Sequence, residues 1–191
     1  MMKLRSPRGV TLVELLIAFC IVAILLAGLY RFFIYEANLY SAQDELTERL
    51  QVVRATVDKM VREIRMAGFR QNGSNLVGIV SATQRTIRIQ ADLNRDGDVV
   101  DPDEDVTYTF DPSSLTLSRT SDGSTEPICE NVSAFRLTYV LVNGAETPMP
   151  ANLSQIRKVR MTLTVMTGKE VFGERRTATL FTEVSPRNLR S

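Results

Sequence analysis

Residues 8–30 read RGVTLVELLIAFCIVAILLAGLY, and this stretch decides the architecture of the chain. From Val10 to Tyr30 it has 21 residues, and Glu14 is the one charged side chain among them. A helix of that length rises about 31 Å, enough to cross a hydrocarbon core of about 30 Å. Three positive charges precede it, at Lys3, Arg5 and Arg8. Because basic residues favour the cytoplasmic side, the sequence predicts one span with the rest of the chain on the far side.

Glu14 is the unusual residue of this stretch. A carboxylate inside a membrane span costs on the order of 2.5–3.5 kcal/mol, so such residues have partners. A secretory signal has a shorter apolar region and a small-residue cleavage site, whereas this run passes Ala27 and Gly28 and continues as a helical pattern. The sequence therefore favours a retained span in which Glu14 makes a contact. The alternative is a generic signal anchor whose Glu14 lies near the headgroups without a role.

The residues RGVTLVELLIA resemble the class III signal of type IV prepilins and type II secretion pseudopilins. The resemblance implies that a prepilin peptidase/N-methyltransferase cuts between Gly9 and Val10 and then methylates Val10, which stands where the family usually has phenylalanine. It implies that Glu14 pairs with the new amine of Val10 on a neighbouring subunit. It also implies other pilin or pseudopilin subunits and the inner-membrane assembly machinery as partners. The expected location is the inner membrane, with a periplasmic head, and then a filament.

Beyond Tyr30 the pattern stays helical and becomes amphipathic. Apolar residues recur three, four or seven positions apart from Leu39 to Ile64, and Gly68 is a typical stop signal. The sequence predicts one continuous helix over residues 10–67, about 88 Å long, whose first half protrudes from the head. The predicted parts are a leader (1–9), a transmembrane and assembly helix (10–35), an amphipathic half-helix (36–68) and a β-rich head (69–191).

The head shows short runs rich in β-branched and aromatic residues, separated by turn residues. Strands are predicted over residues 76–82, 86–91, 106–110, 115–119, 134–142, 157–167 and 177–184. Turns are expected at 111–114 and 143–144. The predicted fold class is α+β, a long helix packed on an antiparallel sheet. Together with the N-terminal helix this looks like the lollipop of PilW-type minor pilins or J-type type II secretion pseudopilins.

Residues 92–105 read DLNRDGDVVDPDED and have the spacing of a calcium loop. Oxygen-bearing side chains fall at the first, third, fifth, seventh and twelfth places, with Gly97 at the sixth. The candidate calcium ligands are Asp92, Asn94, Asp96, Asp98, Asp101, Asp103 and Glu104. Strands rather than helices flank the loop, so we expect an EF-hand-like loop within a β head. The alternative is a solvated acidic hairpin tip, because turns prefer the same residue types.

The composition excludes several classes of site. The chain has no histidine, which removes histidine-based catalysis and most catalytic zinc sites, so we expect no enzyme activity. Cys20 and Cys129 lie in different surroundings and form no CxxC motif. The 23 basic residues balance 22 acidic ones, which disfavours a nucleic-acid partner. Scattered arginines are expected to solubilise the surface, at Arg85, Arg88, Arg119, Arg187 and Arg190.

Four functions remain open at this point. The first is a minor pilin that acts in the assembly of a type IV pilus, and the second is a pseudopilin of a type II secretion system. The third is a membrane-anchored calcium-binding adhesin that does not polymerise. The fourth, an enzyme with its metal in the acidic loop, is the least favoured because the chain offers neither a histidine nor a nucleophile pair.

Overall fold

The computed structural model describes residues 9–70, 76–168, 170 and 173–189. The predicted leader therefore lies outside the described residues, apart from Gly9. The fold is α+β: one long helix and antiparallel sheets. The chain divides into two compact units, Met1–Gln43 and Asp44–Ser191. The second half of the helix belongs to the same unit as the strands.

Helix α1 spans Leu12–Met66, within two residues of the predicted bounds. At its start the hydroxyl of Thr11 accepts a hydrogen bond from the backbone N–H of Glu14 at 3.3 Å, as a capping residue does. At its end Gly68 has φ +79°, a left-handed conformation that glycine adopts without strain. The N–H of Gly68 donates to the carbonyl of Gln90 at 2.9 Å, so the helix terminus is bonded to a strand of the same unit.

The described residues of the first unit, 9–43, contain the apolar part of α1. Its side chains are exposed along the whole stretch from residue 12 to residue 34. An 18-residue window of this helix has a mean hydropathy of 2.9 and no buried residue, so the helix is long and apolar enough to cross a membrane. This confirms the composition and length on which the predicted span rests.

In the described part of the second unit, nine strands form two antiparallel sheets. The first sheet contains, in order, β1 (Ile79–Ala82), β2 (Thr86–Gln90), β3 (Asp105–Asp111), β4 (Thr116–Ser121) and β5 (Ser124–Cys129). The second contains β6 (Val132–Leu141), β7 (Glu146–Thr147), β8 (Ile156–Met166) and β9 (Thr177–Val184), in the order β7-β6-β8-β9. A single turn of 3-10 helix at Leu153–Gln155 precedes β8.

All seven predicted strands are present, but two further strands were not predicted. β5 reads STEPIC; its first four residues are exposed, and it lies at the edge of its sheet, where Pro127 is tolerated. β7 has two residues and pairs with β6 across the predicted turn at 143–144. The expected antiparallel sheet is divided in two because the chain leaves β5 through Asn131, at φ +56°, and β6 begins a new sheet.

The core lies between the second half of α1 and the two sheets. Val53, Val57, Met60 and Ile64 recur every three or four residues, so they share one face of the helix, and each is at most 4% exposed. In β8 alternate residues from Val159 to Val165 are buried, as predicted from the period of two. All residues of the buried cluster lie between residues 53 and 184, so the second unit contains its own core.

Candidate functional site

The predicted processing site lies just before α1. Gly9 and Val10 are exposed and precede the first helical turn. Val10 is 71% exposed, and a Cβ placed on Gly9 would have no atom within 4 Å. Both described residues of the predicted cleavage position are therefore exposed. Glu14 follows in the first turn of α1 and is also exposed.

The apolar surface of the first half of α1 surrounds the helix on every side. Leu12, Val13 and Leu25 are each at least 65% exposed, and at 3.6 residues per turn they point to three different sides of the axis. A surface of this size is not stable in water, so it needs lipid or other apolar helices around it. The same surface leaves Glu14 within an apolar environment once it is covered.

The acidic loop connects β2 to β3. Its aspartate and asparagine side chains stabilise it by accepting hydrogen bonds from backbone N–H groups two residues further along the chain. The side chain of Asn94 accepts from the N–H of Asp96 at 2.9 Å, and Asp96 accepts from the N–H of Asp98 at 3.1 Å. Asp98 in turn accepts from the N–H of Val100 at 3.0 Å. Left-handed residues at Arg95 (φ +68°) and Gly97 (φ +99°) let the chain coil tightly between these turns.

The loop brings four carboxylates together in a group that could hold a metal ion. One oxygen from each of Asp96, Asp98, Asp101 and Glu104 lies within 4.8 Å of the others. The first three side chains are exposed, whereas Glu104 is 2% exposed. All four side chains offer hard oxygens, the type of ligand that calcium and magnesium prefer. We call these four residues the acidic group.

The other predicted ligands lie near the acidic group but outside it. Asp92 is 1% exposed, and its Oδ2 accepts from the N–H of Gly97 at 3.2 Å. The side-chain amide of Asn94 donates to Asp96 at 2.8 Å and to Asp101 at 2.6 Å. Asp103 forms an ion pair with Arg119.

The pKa values of Asp96 and Asp101, two residues of the acidic group, show the effect of placing negative charges close together. Partial desolvation raises the pKa of Asp101, and the neighbouring carboxylate of Asp96 raises it further. Hydrogen bonds from the N–H of Asp98 and from the amide of Asn94 lower the pKa of Asp96. One carboxylate is therefore favoured in its charged form while its neighbour resists ionisation, and a cation would relieve the repulsion between them.

Arg119 was expected at the surface, and that prediction is wrong. Its side chain is 5% exposed and pairs with Asp103 and, at 3.2 Å, with Glu63 of α1. The hydroxyl of Tyr108 donates to the same Glu63 at 2.6 Å. Burial by itself would lower the pKa of Arg119, but Asp103 and Glu63 outweigh it and raise the pKa. The alternation in β4 indicates this position, because Arg119 lies two residues from buried Leu117 and so on the same face.

Comparison with known families finds one match. Residues 4–30 match the family model described as the prokaryotic N-terminal methylation motif. No curated protein matches the chain. The family match confirms the resemblance that the RGVTLVELLIA stretch predicted, and it covers the predicted cleavage position, Glu14 and most of the apolar half of α1.

Proposed function

We propose that this type IV pilin-like prepilin is a minor pilin, a structural subunit that acts in the assembly of a type IV pilus and has no catalytic activity. The observation that carries the proposal is the methylation motif at residues 4–30, together with the exposed apolar surface of the helix that begins inside this motif. The motif implies processing by a prepilin peptidase and assembly with other pilin subunits.

The exposed apolar helix supports two successive environments for the subunit. Lipid covers the surface in the precursor, which is held in the inner membrane with its head in the periplasm. The corresponding helices of neighbouring subunits cover it in the filament. Both environments exclude water, so the helix can move from one to the other without exposing its apolar side chains.

Glu14 sets the register between neighbouring helices in this proposal. Cleavage after Gly9 creates an amine at Val10, a positive charge at the start of the mature chain. A carboxylate in a medium of low dielectric is stabilised when an opposite charge lies close to it. We therefore assign the amine of Val10 in an adjacent subunit as the partner of Glu14.

The mature N-terminus, determined by mass spectrometry, tests the processing step. We expect a chain that begins at Val10; an intact leader, or a cut near Ala27, would refute the proposal. Glu14→Ala then tests assembly, with Asp58→Ala, an exposed charge on the second half of α1, as the matched control. Both variants are expected in the membrane, and Glu14→Ala alone should be missing from sheared filaments. Assembly of Glu14→Ala at the wild-type level would contradict the register role.

A pseudopilin of a type II secretion system is the second candidate, because prepilins of both systems carry the same type of signal. The two functions differ in what the filament does rather than in how the subunit is processed. Deletion of the gene distinguishes them: loss of surface pili and twitching supports the minor pilin, whereas loss of exoprotein export supports the pseudopilin.

We also propose that the ion of the acidic group is calcium. The site offers four carboxylates and neither imidazole nor thiolate, which favours a hard cation over zinc or copper. Calcium tolerates the irregular arrangement of a loop better than magnesium, which demands near-ideal octahedral geometry. Calorimetric titration of the metal-free protein with calcium, magnesium and zinc chlorides tests the choice. We expect calcium to bind with a dissociation constant on the order of 10⁻⁴–10⁻³ M, and no heat with calcium would refute the site.

A further inference from the structure

Glu104 differs from the other members of the acidic group because it is buried. Its Oε1 accepts hydrogen bonds from the backbone N–H groups of Leu93 at 2.7 Å and of Asn94 at 3.2 Å. Its Oε2 is buried and has no hydrogen-bond partner among the described residues. No lysine or arginine nitrogen in the described part of the chain lies within 4.0 Å of Glu104. The carboxylate thus has half of its hydrogen-bonding capacity unused and no counter-charge.

A buried carboxylate in this state is costly. Removing an ionised group from water has a penalty that only hydrogen bonds and an opposite charge offset. The nearby carboxylates of Asp96, Asp98 and Asp101 increase the penalty, since they repel Glu104. Arg62 lines the same cleft as Glu104 but forms no ion pair with it. A cation within the acidic group would satisfy Oε2 and balance the charge.

Asp103, the residue at the twelfth place of the loop, is committed elsewhere. It pairs with Arg119, and its backbone N–H donates to the hydroxyl of Ser121 at 3.1 Å. It also has φ +70°, so the chain bends sharply just before Glu104. Asp103, to which the sequence spacing assigns the last ligand position, therefore contacts β4 of the first sheet. The next residue, Glu104, belongs to the acidic group instead.

We propose that Glu104, and not Asp103, completes the cation site, and that the bound ion thereby ties the loop to the folded core. This inference rests on the calcium site proposed above. Glu104 begins the chain segment that continues as β3, and its carbonyl accepts from the N–H of Ala91 at 2.9 Å. Asp92, which follows Ala91, donates its N–H to the carbonyl of Phe69, just after the end of α1, at 2.8 Å. Ion binding at Glu104 therefore stabilises the junction of the loop, β3 and the end of α1.

The test uses the full-length chain in detergent micelles, stripped with EDTA and then titrated with calcium chloride. Two isosteric variants, Glu104→Gln and Asp103→Asn, are compared with the wild type by calorimetry and by thermal melting in far-ultraviolet circular dichroism. Glutamine keeps an oxygen for the N–H groups of Leu93 and Asn94, so this variant retains the contacts that hold the loop. Asp103→Asn weakens the pairing with Arg119 and leaves the acidic group intact.

The two variants should behave in opposite ways. Glu104→Gln should lose affinity for calcium by at least about tenfold, because a charged ligand is gone. Without calcium its melting temperature should equal or exceed that of the wild type, since an uncompensated buried charge is removed. Asp103→Asn should melt at a lower temperature with and without calcium and bind calcium with the wild-type affinity.

Each failure has a separate meaning. If the wild type binds no calcium, the calcium site itself is refuted. If the wild type binds calcium and Glu104→Gln binds it equally well, the calcium site is supported and the role of Glu104 is refuted. A loss of affinity in Asp103→Asn that matches or exceeds the loss in Glu104→Gln returns the last ligand position to Asp103 and also overturns the inference.

Discussion

Replacement of Arg119 by methionine (R119M) should destabilise the head more than any exposed ion pair does. Methionine fills much of the space of the arginine stem but provides no charge and no donors. It leaves Glu63 of α1, whose side chain is 19% exposed, without its cation, and it frees Asp103, whose side chain is 60% exposed. The hydroxyl of Tyr108 still donates to Glu63, so that carboxylate keeps one hydrogen bond.

The free energy of unfolding that R119M should remove follows from the exposure of the two carboxylates, Glu63 and Asp103. Removing one partner of a fully buried pair costs about 3–5 kcal/mol, whereas an exposed pair contributes about 0–1 kcal/mol. Glu63 is close to the first case and Asp103 to the second, and Tyr108 moderates the loss, which gives roughly 2–4 kcal/mol for R119M. For a chain of this length each kcal/mol lowers the melting temperature by about 2–4 °C, so the expected decrease is roughly 5–15 °C.

Thermal melting in EDTA, which keeps the acidic group free of cations, measures this decrease. Arg88→Met is the matched control, because Arg88 pairs with Asp105 at 2.6 Å on the same sheet but has a side chain that is 45% exposed. The control should cost at most about 1 kcal/mol. R119M combined with Glu63→Gln should be more stable than R119M alone, since the unpaired charge is gone. Equal decreases for R119M and the control would refute the reasoning from burial.

Three further predictions concern other parts of the head. Gly78→Ala should destabilise it by at least about 2 kcal/mol, because the added Cβ would lie 2.4 Å from the backbone nitrogen of Gly68. Thermal melting measures this loss, and Gly28→Ala, whose added Cβ has no atom within 4 Å, is the control. Burial raises the pKa of the Cys129 thiol to about 11, so in a variant without the other cysteine, alkylation near pH 8 should be slow until the protein is unfolded by heat; fast alkylation of the folded protein would contradict its burial. Lys158 lowers the pKa of Glu183, so the pair stabilises the folded state above the unfolded pKa of about 4.3 and the effect is lost as pH falls through the lower folded pKa. The difference in melting temperature between the wild type and Glu183→Gln should accordingly shrink on acidification, and a difference that is constant with pH would argue against the pairing.

The acidic loop shows how far sequence spacing can predict a site. The order of residues 92–104 predicted a tight loop with oxygen ligands, and the structure places four of the seven candidates in one group. Spacing could not decide between Asp103 and Glu104 for the last position. That choice depends on Arg119, which lies 16 residues away along the chain and beside Asp103 in the fold.

The sheets show a similar division. Residues 158–165 alternate strictly between polar and apolar side chains, so β8 was predicted almost to the residue. β5 was missed because an edge strand with mostly exposed side chains needs no apolar alternation, and its sequence contains a proline. The division into two sheets was also missed, since pairing partners are set by contacts between distant segments rather than by local pattern.

By itself the sequence determined the long helix, its start and stop, the apolar span and the processing signal. These depend on residues that are near one another along the chain: Glu14 among apolar residues, the pattern that follows every three or four positions, and Gly68 at the end. Only the tertiary structure decided that Arg119 is buried against Glu63 and that Glu104 is the buried member of the acidic group. The physical reason is that burial and charge pairing depend on which strands and helix faces come together, and residues far apart in the sequence make those contacts.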